Sequence, residues 1–169
     1  MAGALIVAAE LGKPDFAWLD ALRRRHYPPE RNRVPAHLTL FRSLPPSAEP
    51  EVRRRLARAA SGRAPAAAIA GAMDLDSGVA IRVESQELEQ VRDDLAGDFS
   101  GLLTAQDSGP WNPHVTIQNK VEPRVARALL RELRSTLEPQ PLRITGLLLI
   151  RYSAGEWEPL ASYRFRGAS

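Results

Sequence analysis

Cysteine is absent from the 169 residues, which removes disulfides, thiolate nucleophiles and Cys-ligated zinc together and suits a reducing cytoplasm. Lysine is nearly absent: of 23 basic residues only Lys13 and Lys120 are lysines, so arginine carries almost all the positive charge. Histidine is scarce, at three: His26, His37 and His114. Long apolar runs are missing as well. The segment Met1 to Glu10 is apolar, but it lacks a basic leader and meets Glu10 and Lys13 too early for a signal peptide or a spanning helix. It reads as a buried strand, and no membrane association is expected. The formal net charge of +3 permits an anionic partner, although arginines interspersed with Asp and Glu are ordinarily a solvated face. With 44% hydrophobic residues the chain has enough apolar surface for one globular domain over 1–169.

What is present is an order of elements that occurs twice. A strand near 4–10 is followed by a helix opened by Pro14, with Phe16, Leu19 and Leu22 at helical spacing and Arg23-Arg24-Arg25 at its basic end. His26 follows this run, where a solvated histidine is unremarkable. A proline-rich loop at 27–33 leads to a strand at 36–42. Pro45-Pro46 ends that strand, and an amphipathic helix follows over 50–60 with Val52 and Leu56 inward. The Ala-rich stretch 65–74 has helical propensity, but Gly71 and the turn at Asp74-Leu75-Asp76-Ser77-Gly78 favour a strand. From Val79 the order returns: strand 79–84, helix 86–103, a Gly-Pro loop, strand 113–118, helix 122–138, and strands 142–152 and 157–166. An internal duplication predicts an α+β fold of two pseudo-symmetric lobes, approximately 1–76 and 77–169. Each lobe is expected to be a mainly antiparallel sheet with helices on its outer face, with an active cleft between them.

The equivalent third elements carry the rare histidines. Pro35-Ala36-His37-Leu38-Thr39-Leu40 and Pro113-His114-Val115-Thr116-Ile117 are apolar strands interrupted by a His and, two positions on, a Thr. Side chains alternate across a strand, so His37 and Thr39 share one face and Leu38 and Leu40 the other; His114 and Thr116 repeat the arrangement. Two imidazoles and two hydroxyls converging on one point suit a tetrahedral anion. One His can take a proton from a nucleophile while the other gives one to a leaving oxygen, and the Thr hydroxyls can donate to non-bridging oxygens. A phosphodiester has the attacking and leaving sides that such a pair requires.

On these motifs, each with a proline just upstream and set in a duplicated order, the chain resembles the two-histidine (2H) phosphoesterase superfamily, which includes 2′,5′-RNA ligase-like proteins and cyclic phosphodiesterases. The resemblance spans nearly the whole chain in element order and the two motifs in residue detail. It implies catalytic roles for His37 and His114 as general acid and base, with Thr39 and Thr116 holding the phosphate, usually without metal or other cofactor. It also implies substrates such as RNA ends with 2′,3′-cyclic phosphates, 2′,5′-linked RNA, or small cyclic nucleotides.

Strand alternation extends the first face to Phe41 and the second to Gln118 and Lys120, each as readily plain packing or solvated surface. Trp111 and Tyr27 lie next to the motifs in sequence and could stack on a base, although packing is the commoner role. Arg42 and Arg151 could meet further phosphates. A zinc hydrolase would want about three ligands, and neither His-Glu-x-x-His nor a His-x-His pair occurs. A Thr nucleophile would need an adjacent base, which parallel side chains on one strand do not supply. The expected protein is a metal-independent phosphodiesterase; the alternative is a module of the same fold that grips RNA ends or a phosphorylated metabolite without turnover. Oligomeric state is not legible.

Overall fold

The computed structural model describes residues 3–167. Its elements in chain order are β1 (Ala4–Leu11), α1 (Lys13–His26), β2 (Leu38–Leu44), α2 (Glu49–Ala59), β3 (Ala66–Asp74), β4 (Val79–Glu84), α3 (Gln86–Asp98), a single turn α4 (Ala105–Ser108), β5 (His114–Gln118), α5 (Pro123–Thr136), β6 (Gln140–Ser153) and β7 (Glu156–Arg164). The Ala-rich segment is indeed a strand. It enters a hairpin in which Asp76 takes a left-handed φ of 65°, and Gly71 stands at a bulge with φ +146°, where a side chain would be strained.

One expectation fails in its extent. The helix expected over 86–103 stops at Asp98; Phe99 closes it by bonding Leu95 O, and the chain turns through Gly101 at φ +87°. Thr104 then caps the one-turn α4 through the Asp107 amide. The apolar residues beyond Asp98 are helical in spacing but not in backbone, because Gly97 and Gly101 remove the propensity that would carry the helix on.

The strands form one antiparallel sheet in the order β1-β2-β5-β4-β3-β6-β7, and β1 also pairs with β6, so six strands close a ring with β7 added outside it. Exchanging β1 with β4, β2 with β5 and β3 with β6 reproduces the same ring, which is the topological signature of the duplication. Each half lends its third strand to the other: β6 pairs with β1 from Ala4↔Tyr152 to Leu11↔Ile144, and β3 pairs with β4. After this exchange the three-stranded groups β6-β1-β2 and β3-β4-β5 meet at two seams, β2 against β5 at Leu38↔Val115 and β3 against β6.

The helices cover the sheet through single apolar stripes. Leu19 of α1, Val52 and Leu56 of α2, Leu88 and Leu95 of α3, and Leu129, Leu130 and Leu133 of α5 join the core formed by Leu5, Val7, Leu38, Ile81, Val115 and Leu149. Burying each large aliphatic side chain is worth about 1.5–3 kcal/mol. Among the described residues no helix is long and apolar enough to cross a membrane.

Candidate active site

The seam between β2 and β5 brings the two motifs together. With Leu38 opposite Val115 in an antiparallel pair, the register sets His37 across from Thr116 and Thr39 across from His114. Directly opposed side chains stand about 5 Å apart at Cβ and diagonal ones about 7–8 Å, so the two imidazoles are diagonal neighbours on one face. Leu38 and Val115, fully buried, point to the other face.

Each motif strand also carries a bulge at the same place. Ala8 faces Thr39 but Val7 faces Phe41; Ala80 faces Thr116 but Val79 faces Gln118. One residue is inserted after each Thr, and two consecutive residues turn inward as a result: Leu40 and Phe41 in β2, Ile117 and Gln118 in β5. Strand alternation put Phe41 and Gln118 on the His face, and the bulges overturn that. Phe41 is fully buried, edge-on to Phe99 at 5.4 Å. Gln118 is 3% exposed, and its Oε1 has no hydrogen-bond partner among the described residues. The face passes instead to Arg42, whose side chain lines a cavity of about 260 Å³ with Ile6, Val34, His37, Thr39, Tyr152 and Trp157.

The imidazoles are oriented alike. His37 Nδ1 lies 2.8 Å from Pro35 O and His114 Nδ1 2.6 Å from Asn112 O. A carbonyl only accepts, so each Nδ1 carries the proton and donates it, which leaves each Nε2 free to exchange a proton. The environments differ. Trp157, on β7, lies against His37 with centroids 4.8 Å apart, and Tyr152 meets Trp157 edge-on at 6.4 Å. The strand β7 has no counterpart in the other half. Burial pushes the His37 imidazole down to about 4, with the Arg23, His114 and Arg42 charges adding to the effect and the Pro35 carbonyl opposing it. His37 is therefore neutral at pH 7. The third histidine, His26, ends α1; burial and then Arg25 lower its pKa, while Glu132 opposes them.

Two arginines that resemble surface charge in the sequence brace this seam from opposite sides. Arg23 in α1 is 4% exposed; its guanidinium donates to Thr116 O at 2.9 Å and Asn32 Oδ1 at 2.8 Å, and it sits 4.2 Å over the Tyr27 ring. Arg92 in α3 is 6% exposed; it donates to Leu40 O at 3.2 Å and Asp107 O at 2.7 Å, over the rings of Phe41 and Trp111. Burial lowers the pKa of both, yet a guanidinium stays charged in a protein. Each arginine comes from one half and holds the motif strand of the other. Asp107 completes the brace at β2, where its carboxylate accepts the amides of Arg42 and Ser43 at 2.9–3.0 Å, groups at a second irregularity of the β1–β2 ladder, between Phe41 and Leu44.

The remaining expected residues divide. Trp111 is a strut, with Nε1 donating to Thr39 O at 2.9 Å, and Tyr27 is 8% exposed, with the Arg23 guanidinium 4.2 Å over its ring. Arg151 is turned away from the motifs, paired with Glu49 and, at 3.6 Å, with Glu158, because alternation along β6 gives the site face to Tyr152. Lys120 lies beyond β5, exposed, at a left-handed φ of 62°, in a neighbouring cavity rather than the one at His37. Trp157 and Tyr152, which line the site, lie in the last hairpin, far in sequence from either motif. Among the described residues no group of three or more His, Cys, Asp or Glu side chains is placed to hold a metal ion.

A closed antiparallel ring built from two exchanged halves, with a His-x-Thr pair at their seam, defines a duplicated phosphoesterase-type fold. The family model of the 2′-5′ RNA ligase superfamily matches residues 12–156, and the chain belongs to that family, the 2H phosphoesterases. Among solved structures it is similar to LigT of E. coli complexed with 3′-AMP, at 18% identity and a TM-score of 0.67 over 98% of this chain and 99% of that one. It is likewise similar to TT0787 of Thermus thermophilus, at 20% identity and a TM-score of 0.66 over 97% and 98%, and to a phosphoesterase at 19% identity and a TM-score of 0.63 over 98% and 99%. No curated protein matches the sequence significantly.

Proposed function

We propose that the chain is a metal-independent phosphodiesterase that opens 2′,3′-cyclic phosphates or cleaves 2′,5′ linkages at the ends of RNA or in small nucleotides. The observation that carries this is the identical tethering of His37 and His114 through Nδ1, which aims two Nε2 atoms at the space beside Thr39 and Thr116. The neutral His37 accepts the proton of an attacking water at Nε2 as the P–O bond forms. His114, as the general acid, gives a proton from Nε2 to the ribose oxygen as the opposite P–O bond breaks, and solvent exchange restores both rings. The Thr39 and Thr116 hydroxyls donate to the non-bridging oxygens, where charge gathers in the transition state. LigT, similar in fold, is seen with 3′-AMP, a nucleoside phosphomonoester of the kind that opening a 2′,3′-cyclic phosphate releases. The cysteine-free composition suits work in the cytoplasm.

The test is incubation with a nucleoside 2′,3′-cyclic phosphate followed by phosphorus NMR, with and without EDTA. A monoester resonance that appears equally in both samples supports the proposal. Tight binding with no new resonance would identify a binding module instead.

A further inference from the structure

A second cavity adjoins the His37 cavity. It measures about 470 Å³ and is lined by Arg23, Tyr27, Glu30, Arg31, Arg33, Val34, Lys120 and Tyr152. Val34 and Tyr152 line both cavities, so the two are immediate neighbours. Arg23 is spent on Thr116 O and Asn32. Arg31, Arg33 and Lys120 are exposed, and among the described residues none of the three is paired with a carboxylate. Glu30 is the one acidic residue of the lining.

These cations are presented by an ordered frame. The loop after α1 makes a 3-10 turn over Pro29–Arg31, with the Arg31 amide donating to Pro28 O at 2.9 Å, and buried Arg23 pins Asn32 between Arg31 and Arg33. The Arg33 side chain runs beside Gly155 in the β6–β7 turn, close enough that a Cβ there would lie 3.8 Å from Arg33 Cδ. Lys120 enters from the other half of the molecule, on a left-handed backbone with its amide donating to Asn119 Oδ1 at 2.9 Å; a lysine in that conformation is uncommon. Three unpaired cations from two halves, lining a cavity next to the proposed reaction site, describe a receptor for an anion.

Resting on the proposed phosphodiester chemistry, we infer that this cavity is a subsite for a second phosphate carried by the same substrate. A 2′,3′-cyclic phosphate occupies the 3′ end of its chain, so the second phosphate lies on its 5′ side, either as a terminal 5′-phosphate or as the phosphodiester to a preceding nucleotide. Arginine forks supply bidentate donors to its oxygens and Lys120 a point charge.

The experiment compares kcat/KM for a nucleoside 2′,3′-cyclic phosphate, its 5′-phosphorylated form, and a diribonucleotide ending in the cyclic phosphate. The protein with Arg31→Gln, Arg33→Gln and Lys120→Gln, all surface changes, is compared with the parent. The parent favours at least one phosphate-bearing substrate by about tenfold at low salt, and whichever is favoured identifies the source of the phosphate. The triple substitution brings the ratio close to one. A ratio near one in the parent, or one unchanged by the substitution, overturns the subsite while leaving the catalytic reading intact. The same three molecules are titrated calorimetrically onto His37→Ala/His114→Ala protein, with and without the triple substitution. If no substrate is turned over but the binding preference exists and is lost with the three cations, the subsite stands and the catalytic reading falls; absence of preference in both assays sinks the subsite.

Discussion

The His37 and His114 halves of the site share a His-x-Thr sequence, a bulge one step after the Thr, an Nδ1 tether to the carbonyl two residues back, and a brace from the opposite half. They differ in their cover. Trp157, delivered by the unduplicated β7, lies on His37; among the described residues no aromatic ring is stacked on His114. Two copies of one device are thereby made unequal by a strand that belongs to neither copy. The covered ring is partly buried and neutral at pH 7, which in the proposed reaction fits it to receive a proton and leaves the donor's part to the other ring. An inequality of this kind favours one of the two possible assignments of base and acid.

The largest effect expected is loss of either imidazole. His37→Ala or His114→Ala should each lower kcat/KM on a 2′,3′-cyclic nucleotide by about 10²–10⁴. The double variant should fall well short of the product of the two, because the rings act on one event. Replacement of Thr39 or Thr116 by Val removes one donor to the non-bridging oxygens and should cost about 10²-fold in kcat; similar losses at the two positions would show that the halves are equivalent in holding phosphate. Loss of a brace should act on stability first. Arg92→Met leaves the Leu40 and Asp107 carbonyls buried without their donor, which predicts destabilisation of about 2–4 kcal/mol by denaturant unfolding. Arg23→Met should behave alike, through Thr116 O and Asn32.

The covering residue should produce a smaller change at pH 7 and a clear one in pH dependence. Trp157→Ala rehydrates His37, so the acid limb of the kcat/KM profile, set near 4 in the parent, should move up towards the ordinary histidine value of about 6.5. Stability carries the same sign. The folded value of His37 lies below its unfolded one, so its contribution is complete above about 6.5 and is lost as pH falls towards 4. His37→Gln should flatten that part of the stability curve.

Most of the frame is legible in the sequence because local chemistry decides it. Alternation, proline breaks and the Asp74–Gly78 turn place the strands within a few residues, and the repetition of His-x-Thr marks the seam. The bulges are not legible. No glycine or proline announces them at Leu40-Phe41 or Ile117-Gln118, and they are set by pairing with β1 and β4. Alternation therefore carries the face one residue wrong beyond each Thr, to Phe41 and Gln118 instead of Arg42. The braces left a fainter mark. Leu19-x-x-x-Arg23 and Leu88-x-x-x-Arg92 repeat at equivalent helices, which distinguishes these two arginines from the rest, but burial of a charge is decided by distant carbonyls. Trp157 carried no signal, since only the tertiary fold lays the last hairpin over His37.

The division of labour rests on the protonation of His37, and imidazole ¹⁵N NMR of the substrate-free protein reads it directly. A His37 ring that holds its proton on Nδ1, leaves Nε2 bare at pH 7 and becomes cationic only near pH 4 is the predicted result. A His37 ring with its neutral proton on Nε2, or one already cationic at pH 6, would contradict the assignment of the base.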